Sequence, residues 1–367
     1  MRQACILLRA PMMSFSNLPL SSSPGSPHSG GSIDLHGTTA VVDVFPASGP
    51  GAGVSIPPGR PFNQARDEGR GSAGADAASR KIAAMVRALR LHQWAKNLLI
   101  FVPLVLSHRL FEQGVIASGI VAFFAFGLCA SAIYVVNDLF DIQSDRAHPR
   151  KRLRPFAAGE LSIRTGVVMS GTLLAAAIAV AVAGTPSGFL VVLLAYITVT
   201  TAYSWRIKRE PLLDVFVLAT LYVVRVLGGG AAAGITISNW LLGFALFLFL
   251  SLAFVKRYVE LVGQNGQMPG RGYTSVDQGW MLSIGTTAGY MSVVILALYV
   301  NSAEVAALYA SPRVLWLTCP VLLFWVSRVW FRAGRLQVHD DPVLDALKDP
   351  TSYLCALIAL VVLVIAL

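Results

Sequence analysis

"YVVNDLFDIQSDRAHPRKRLRPF", Tyr134 to Phe156, is the stretch whose reading decides the fold. It follows an apolar run, Gly114 to Val136, with the length and composition of a membrane span. Three carboxylates, Asp138, Asp141 and Asp145, stand where that span ends, and a dense block of Arg and Lys follows at once. The chain as a whole carries few charges, so acid and then base concentrated at a bilayer edge calls for a chemical reason.

Of the 367 residues, 55% are hydrophobic and 13% are charged. A soluble domain carries roughly twice that charged fraction. The mean hydropathy is +0.64 and the pI about 9.7. The formal net charge is +10, and the basic residues lie in links between apolar runs. That pattern reports membrane topology and argues against a nucleic-acid partner. Cys5, Cys129, Cys319 and Cys355 show no metal or redox spacing, and the last three fall in apolar runs as packing residues.

Residues 1–80 differ in kind. "SSSPGSPHSGGS" and "PASGPGAGVSIPPGRP" offer Ser, Gly and Pro with little to bury, which predicts a disordered tail. A mis-called upstream start codon is the preferred account of it, because nothing there offers chemistry. From Lys81 onward, apolar runs predict about nine spans of roughly 20 residues or fewer: 95–107, 115–138, 164–184, 188–204, 212–233, 239–256, 281–301, 313–331 and 350–367. The first is short and is expected to extend back through "MVRALRLHQWAKN". Links after odd spans, such as "GTPSG" and "GITIS", carry little charge, whereas even links hold Arg146 to Arg154, then Arg206, Lys208 and Arg209, then Lys256, Arg257 and Arg271. The positive-inside bias puts the even links and the N-terminus in the cytoplasm. The acidic motif then faces cytosolic substrates.

If the second span stays helical past Val136, Asn137, Asp141 and Asp145 fall on one stripe, joined by Asp138. Carboxylates so close repel one another unless a cation sits among them, and hard oxygen donors suit Mg²⁺ with substrate phosphates. The basic block, including Arg152 and Arg154, can bind phosphate oxygens, fix topology or touch anionic lipid. "YSWRIKREPLLDVFVLATLYVVRVLGGG" places Tyr203, Ser204, Arg206, Lys208 and Asp214 at the same face. Asp214 is expected to orient Lys208 or hold a second metal. Arg225, eleven residues past Asp214, lies about 16 Å deeper and must face the bundle interior or a wet cavity. Gly228, Gly229 and Gly230 permit close helix approach or a helix break. "LRLHQWAKN" adds Gln93, Lys96 and Asn97, and "FVKRYVEL" adds Lys256, Arg257, Tyr258 and Glu260. "HDDPVLDALKD" reads as an interfacial or packing segment.

The pattern NDxxDxxxD, met in full by Asn137, Asp138, Asp141 and Asp145, resembles that of the UbiA superfamily of intramembrane prenyltransferases. Within it, "HQWAKN", "NDLFDIQSDRAHPRKRLRPFAAGEL", "YSWRIK", "KRYVEL" and "DDPVLDALKD" are most similar to the decaprenyl-phosphate phosphoribosyltransferases, and the resemblance runs over about residues 85 to 367. It implies an all-α, polytopic membrane protein with nine helices around a central cavity, in a bacterial inner membrane. It also implies Mg²⁺-dependent transfer of 5-phosphoribose from phosphoribosyl diphosphate (PRPP) to polyprenyl phosphate, making a precursor of D-arabinose for envelope arabinan or other arabinosylated glycoconjugates. On that reading Asp138, Asp141 and Asp145 serve the metal and diphosphate. Asn137, Gln93, Lys96, Arg152, Tyr203, Lys208, Asp214, Arg225, Lys256 and Tyr258 serve substrate phosphates and ribose. No general base is needed, since the lipid phosphate is already anionic.

Two other functions compete. An aromatic prenyltransferase of quinone, haem or chlorophyll synthesis would want an apolar, aromatic cavity, and Arg225 with Lys96 and Lys256 argues against that. A transporter would show repeats and broken helices at mid-membrane, and no convincing repeat is present. Lipid chain length and oligomeric state, a homo-oligomer included, stay open at this stage.

Overall fold

A computed structural model describes residues 78–264, 266, 268, 270–338 and 341–367. They belong to one compact unit and form helices without an extended strand. Of the expected tail, residues 1–77 lie outside the described residues, while 78–80 already begin helix α1, residues 78–89. A 3-10 segment, Leu91–Ile100, leads into α2, Phe101–Leu106. There follow α3, Val115–Phe140, and α4, Ile142–Ala147. The next pair is α5, Ile163–Gly184, and α6, Ser187–Trp205. Then come α7, Leu213–Ala233, and α8, Asn239–Gly263. The chain closes with α9, Asp277–Val300, α10, Ala303–Leu308, α11, Thr318–Gly334, α12, Pro342–Ala346, and α13, Pro350–Ala366.

Among the described residues, 7 helical stretches are long and apolar enough to cross a membrane, and α13 is a shorter apolar helix. With the Leu91–Leu106 segment, these account for each of the expected spans. Starts follow local chemistry. The Ser162, Ser238 and Asp349 side chains accept the first free backbone N–H groups of α5, α8 and α13. Outward faces carry exposed Val168, Val191 and Leu357, an apolar surface suited to lipid.

The first span departs from expectation. The helix does not run back through "MVRALRLHQWAKN" but breaks at Arg90, which takes φ 51 and ψ 49. The break seats Trp94 against α3. There, a Cβ on Gly127 would meet the Trp94 ring at 2.6 Å, and Trp94 Nε1 donates to Ser131 Oγ over 3.0 Å. Ser131 Oγ in turn donates to the Leu89 carbonyl left open by the break, at 2.7 Å. The three glycines of α7 do not break that helix. Gly229 lets the first span approach so closely that a Cβ would lie 2.0 Å from the Ile100 carbonyl oxygen.

Candidate active site

The acidic motif folds in two parts. Helix α3 ends at Phe140, Asp141 takes φ −93 and ψ 7, and α4 restarts at Ile142. The hydrogen-bond chain nevertheless continues, from Asp141 N to the Asn137 carbonyl at 2.9 Å and from Asp145 N to the Asp141 carbonyl at 2.8 Å. Asp138 and Asp145 are seven residues apart, so helical periodicity puts them within about 20° of each other. Both are buried. Arg154 Nη1 stands between them, 3.2 Å from Asp138 Oδ1 and 2.7 Å from Asp145 Oδ2. Arg90 Nη2 adds a second ion pair to Asp138 at 2.5 Å. Asp141 points elsewhere, with its side chain 38% exposed and 3.4 Å from Lys208 Nζ. The expected stripe of three is therefore a pair plus an outlier.

Among the described residues no three His, Cys, Asp or Glu side chains converge as a metal cage. The donor chemistry still fits a hard divalent cation. Two buried carboxylates already converge on one positive nitrogen, and only oxygen donors are offered.

A cavity of about 210 Å³ has walls that include Asn137, the neighbour of Asp138 in the chain, with Tyr203, Lys96, Arg225, Lys256 and Arg257, whereas Asp138, Asp141, Asp145, Lys208 and Asp214 do not line it. Arg225 stands eleven residues further along α7 than Asp214. The residue is 5% exposed, and its guanidinium donates to Asn97 Oδ1 at 3.1 Å, the Leu221 carbonyl at 2.6 Å and Tyr196 Oη at 3.0 Å. These acceptors are all neutral. A buried cation so arranged keeps its full charge for an anion in the cavity. Tyr134 lines the cavity and carries the Arg90 guanidinium 5.2 Å above its ring, and Arg90 in turn pairs with Asp138, so this tyrosine links the cavity wall to the acidic pair.

Asp214 is fully buried and does not orient Lys208, contrary to expectation. It accepts from Arg257 Nε at 2.5 Å and from Tyr273 Oη at 2.6 Å. Burial, reinforced by this bond, pushes the Tyr273 phenol well above its ordinary range, so it stays a donor. Tyr203 Oη accepts from Arg257 at 2.7 Å and from Arg271 at 3.3 Å. Asp214 thus positions cavity cations from behind.

Gln93 is half-buried and Arg152 exposed, and neither lines the cavity. Tyr258 sets its ring edge-on to Trp330, 6.0 Å between centroids, and also stays outside the lining. The "HDDPVLDALKD" segment is more than packing. His339 and Asp340 lie outside the described residues, but Asp341 is buried and accepts from Lys96 Nζ at 2.5 Å and Lys256 Nζ at 3.3 Å. Sequence reasoning missed Tyr196, Tyr222 and Tyr273 and two charged members, Arg90 and Asp341. The partners of these two lie 48 and 245 residues away, and the only local signal was the Asp-Pro helix start at Asp341.

Fold and site together define an all-helical integral membrane enzyme whose acidic motif closes a buried span. The chain belongs to the UbiA prenyltransferase family, whose model matches residues 99–347. It is 38% identical over 277 residues to the uncharacterized protein y4nM of Sinorhizobium fredii, covering 74% of this chain and 54% of that one, about half of its length. It is 37% identical to the nodulation protein NoeC of Azorhizobium caulinodans, covering 74% of this chain and 89% of that one. It is 38% identical over 181 residues to the decaprenyl-phosphate phosphoribosyltransferase of Corynebacterium glutamicum, covering 48% of this chain and 54% of that one. The fold resembles that of a UbiA homologue from Archaeoglobus fulgidus bound to GPP and Mg²⁺, with a TM-score of 0.57, 18% identity, and 76% of this chain and 99% of that one covered.

Proposed function

We propose that the chain transfers 5-phosphoribose from PRPP to a polyprenyl phosphate with Mg²⁺, and that the product supplies D-arabinose for envelope arabinan or other arabinosylated glycoconjugates. Arg225 carries this reading. A buried guanidinium with only neutral partners suits a phosphate-rich sugar donor, and with Lys96 and Lys256 lining the same cavity it is poorly matched to a cationic prenyl intermediate. The similarity to decaprenyl-phosphate phosphoribosyltransferases over 181 residues supports the same choice.

Bond by bond, an oxygen of the lipid phosphate attacks ribose C1, the bond from C1 to diphosphate breaks, and diphosphate leaves with the electron pair. Asp138 and Asp145, with Asp141 nearby, would hold Mg²⁺, which neutralises charge developing on the leaving diphosphate. The chain's cations then hold two repelling anions within reach of each other. Arg225, Arg257 and Arg271 face the donor, with Asn137 and Tyr203 as hydrogen-bonding groups. Asp214 fixes Arg257, and Lys208 steadies Asp141. Gln93, Arg152 and Tyr258 would act only after movement toward the cavity. The protein sits in the bacterial inner membrane with the site open to the cytoplasm, where PRPP is made.

The decisive experiment incubates purified protein with Mg²⁺, polyprenyl phosphate and ribose-labelled PRPP. Label is expected in the lipid phase. An unlabelled lipid phase, together with prenylation of an aromatic acceptor from a prenyl diphosphate, would replace this function with the aromatic one.

A further inference from the structure

A second cavity, of about 530 Å³, is walled by apolar side chains including Leu99, Phe249, Trp325, Val343 and Leu347. A thin wall separates it from the polar cavity. The Tyr222 ring, which lines the polar side, stacks on Phe249, which lines the apolar side, at 5.0 Å between centroids. Asp341 sits at that wall. Its Oδ2 takes Lys96 and Lys256, and Tyr222 Oη donates to its Oδ1 over 3.3 Å. Its Oδ1 also caps α12 by accepting from Val343 N at 3.1 Å and Leu344 N at 3.5 Å. Two ammonium groups thus share one carboxylate, and one positive charge is left over. A phosphate monoester carries about −1.5 to −2 near neutral pH, so it matches the two lysines better than Asp341 does.

We propose that Lys96, Lys256 and Tyr222 form the seat of the acceptor's phosphate monoester, and that the Asp341 carboxylate holds this seat as an internal competitor which the phosphate displaces. The inference rests on the lipid-phosphate acceptor named above. The donor also bears a phosphate, but the seat borders the apolar cavity. An amphiphile with its tail there brings its headgroup to the two lysines. Displacing Asp341 also releases the first turn of α12, whose Val343 and the following Leu347 line that same cavity.

Farnesyl phosphate, farnesol and ribose 5-phosphate serve as probes, each binding to the full chain in nanodiscs. Asp341→Asn keeps the capping oxygen and removes the charge. It should bind farnesyl phosphate about tenfold more tightly, as expected when a competitor that fills the seat most of the time is removed, with farnesol affinity unchanged. Unchanged or weaker farnesyl phosphate binding in Asp341→Asn would overturn the proposal, since Asp341 would then be only a structural partner. Tightening confined to ribose 5-phosphate would assign the seat to the donor and overturn it equally. The triple variant K96M/K256M/D341N removes both ammonium groups together with their carboxylate and should bind farnesyl phosphate no better than farnesol. A readout on the unaltered chain is independent of how variants fold. Farnesyl phosphate, but not farnesol, should speed hydrogen exchange at the Val343 and Leu344 amides, and exchange that is unchanged or slowed counts against displacement. If transfer from PRPP fails while phosphate-selective binding persists, the donor reading falls and the seat stands.

Discussion

Arg225 is the residue on which the electrostatics turn. Its three hydrogen bonds leave the head fixed but its charge uncompensated. Lysine at this position would keep the charge and lose the planar fork. Arg225→Lys is therefore expected to lower turnover roughly 10²-fold, the scale of losing one fixed donor at a developing charge, as measured by label transfer at saturating substrate. Arg225→Met should lose more. If Arg225→Lys works as well as the natural chain, the guanidinium is structural and the donor sits elsewhere. This residue was legible from sequence because a charge eleven positions into an apolar helix has few reasons to exist. The Asp138 and Asp145 pairing was also legible in principle, since seven residues is two helical turns. What hid it was treating all three acids as one stripe. The ion pairs of Arg90 and Asp341 were not legible, because each rests on a contact that only the packed bundle creates.

At the scale of elements, apolar runs located the spans, because a bilayer enforces length and continuity on its helices, but they placed the end of α8 seven residues short, since its last turns, from Arg257 to Gly263, are partly polar. They did not give the 3-10 form of Leu91–Ile100, which follows from side-chain packing of Trp94 and from the closeness of α7. That closeness is testable. Gly229→Ala would drive a methyl group into the Ile100 carbonyl, and overpacking of this kind costs about 1–3 kcal/mol. A lowered thermal midpoint in detergent should report it, with Gly171→Ala, which meets nothing within 4 Å, as the neutral control. The link into α12 makes a second prediction. Burial raises the Asp341 pKa, but Lys256 and Lys96 more than reverse that and hold it well below the ordinary carboxylate range. A carboxylate depressed on folding stabilises the chain above its unfolded value of about 3.9, and the contribution is lost as pH falls toward the folded value. Wild type should therefore melt above Asp341→Asn at pH 7, and the gap should narrow on acidification below about pH 4. A gap that does not change with pH would mean that Asp341 carries no such charge. The variant's lower stability and its tighter phosphate binding are compatible, because a seat held by an internal anion trades affinity for order.

Over the whole molecule, charge asymmetry between the two sets of links is the feature that makes the chemistry directional. The acidic pair, Asp214 with Arg257, and Lys208 all gather where α3, α6 and α8 end and α7 begins, so one end of the bundle holds nearly every functional charge. On the proposed function, a cytosolic sugar donor reaches that end only if it faces inward, which is the orientation the positive-inside bias predicts for the basic links. Single cysteines placed in a chain whose own four cysteines are changed to Ala test this directly. Arg209→Cys lies in a basic link beside Lys208, and Glu112→Cys lies in the sparsely charged link before α3; both positions are exposed. A membrane-impermeant maleimide should label Arg209→Cys in inside-out vesicles and Glu112→Cys in right-side-out vesicles. The reverse pattern would turn the site toward the outside, where no PRPP is made. The phosphoribosyl reading would then lose its donor however well the cations are placed.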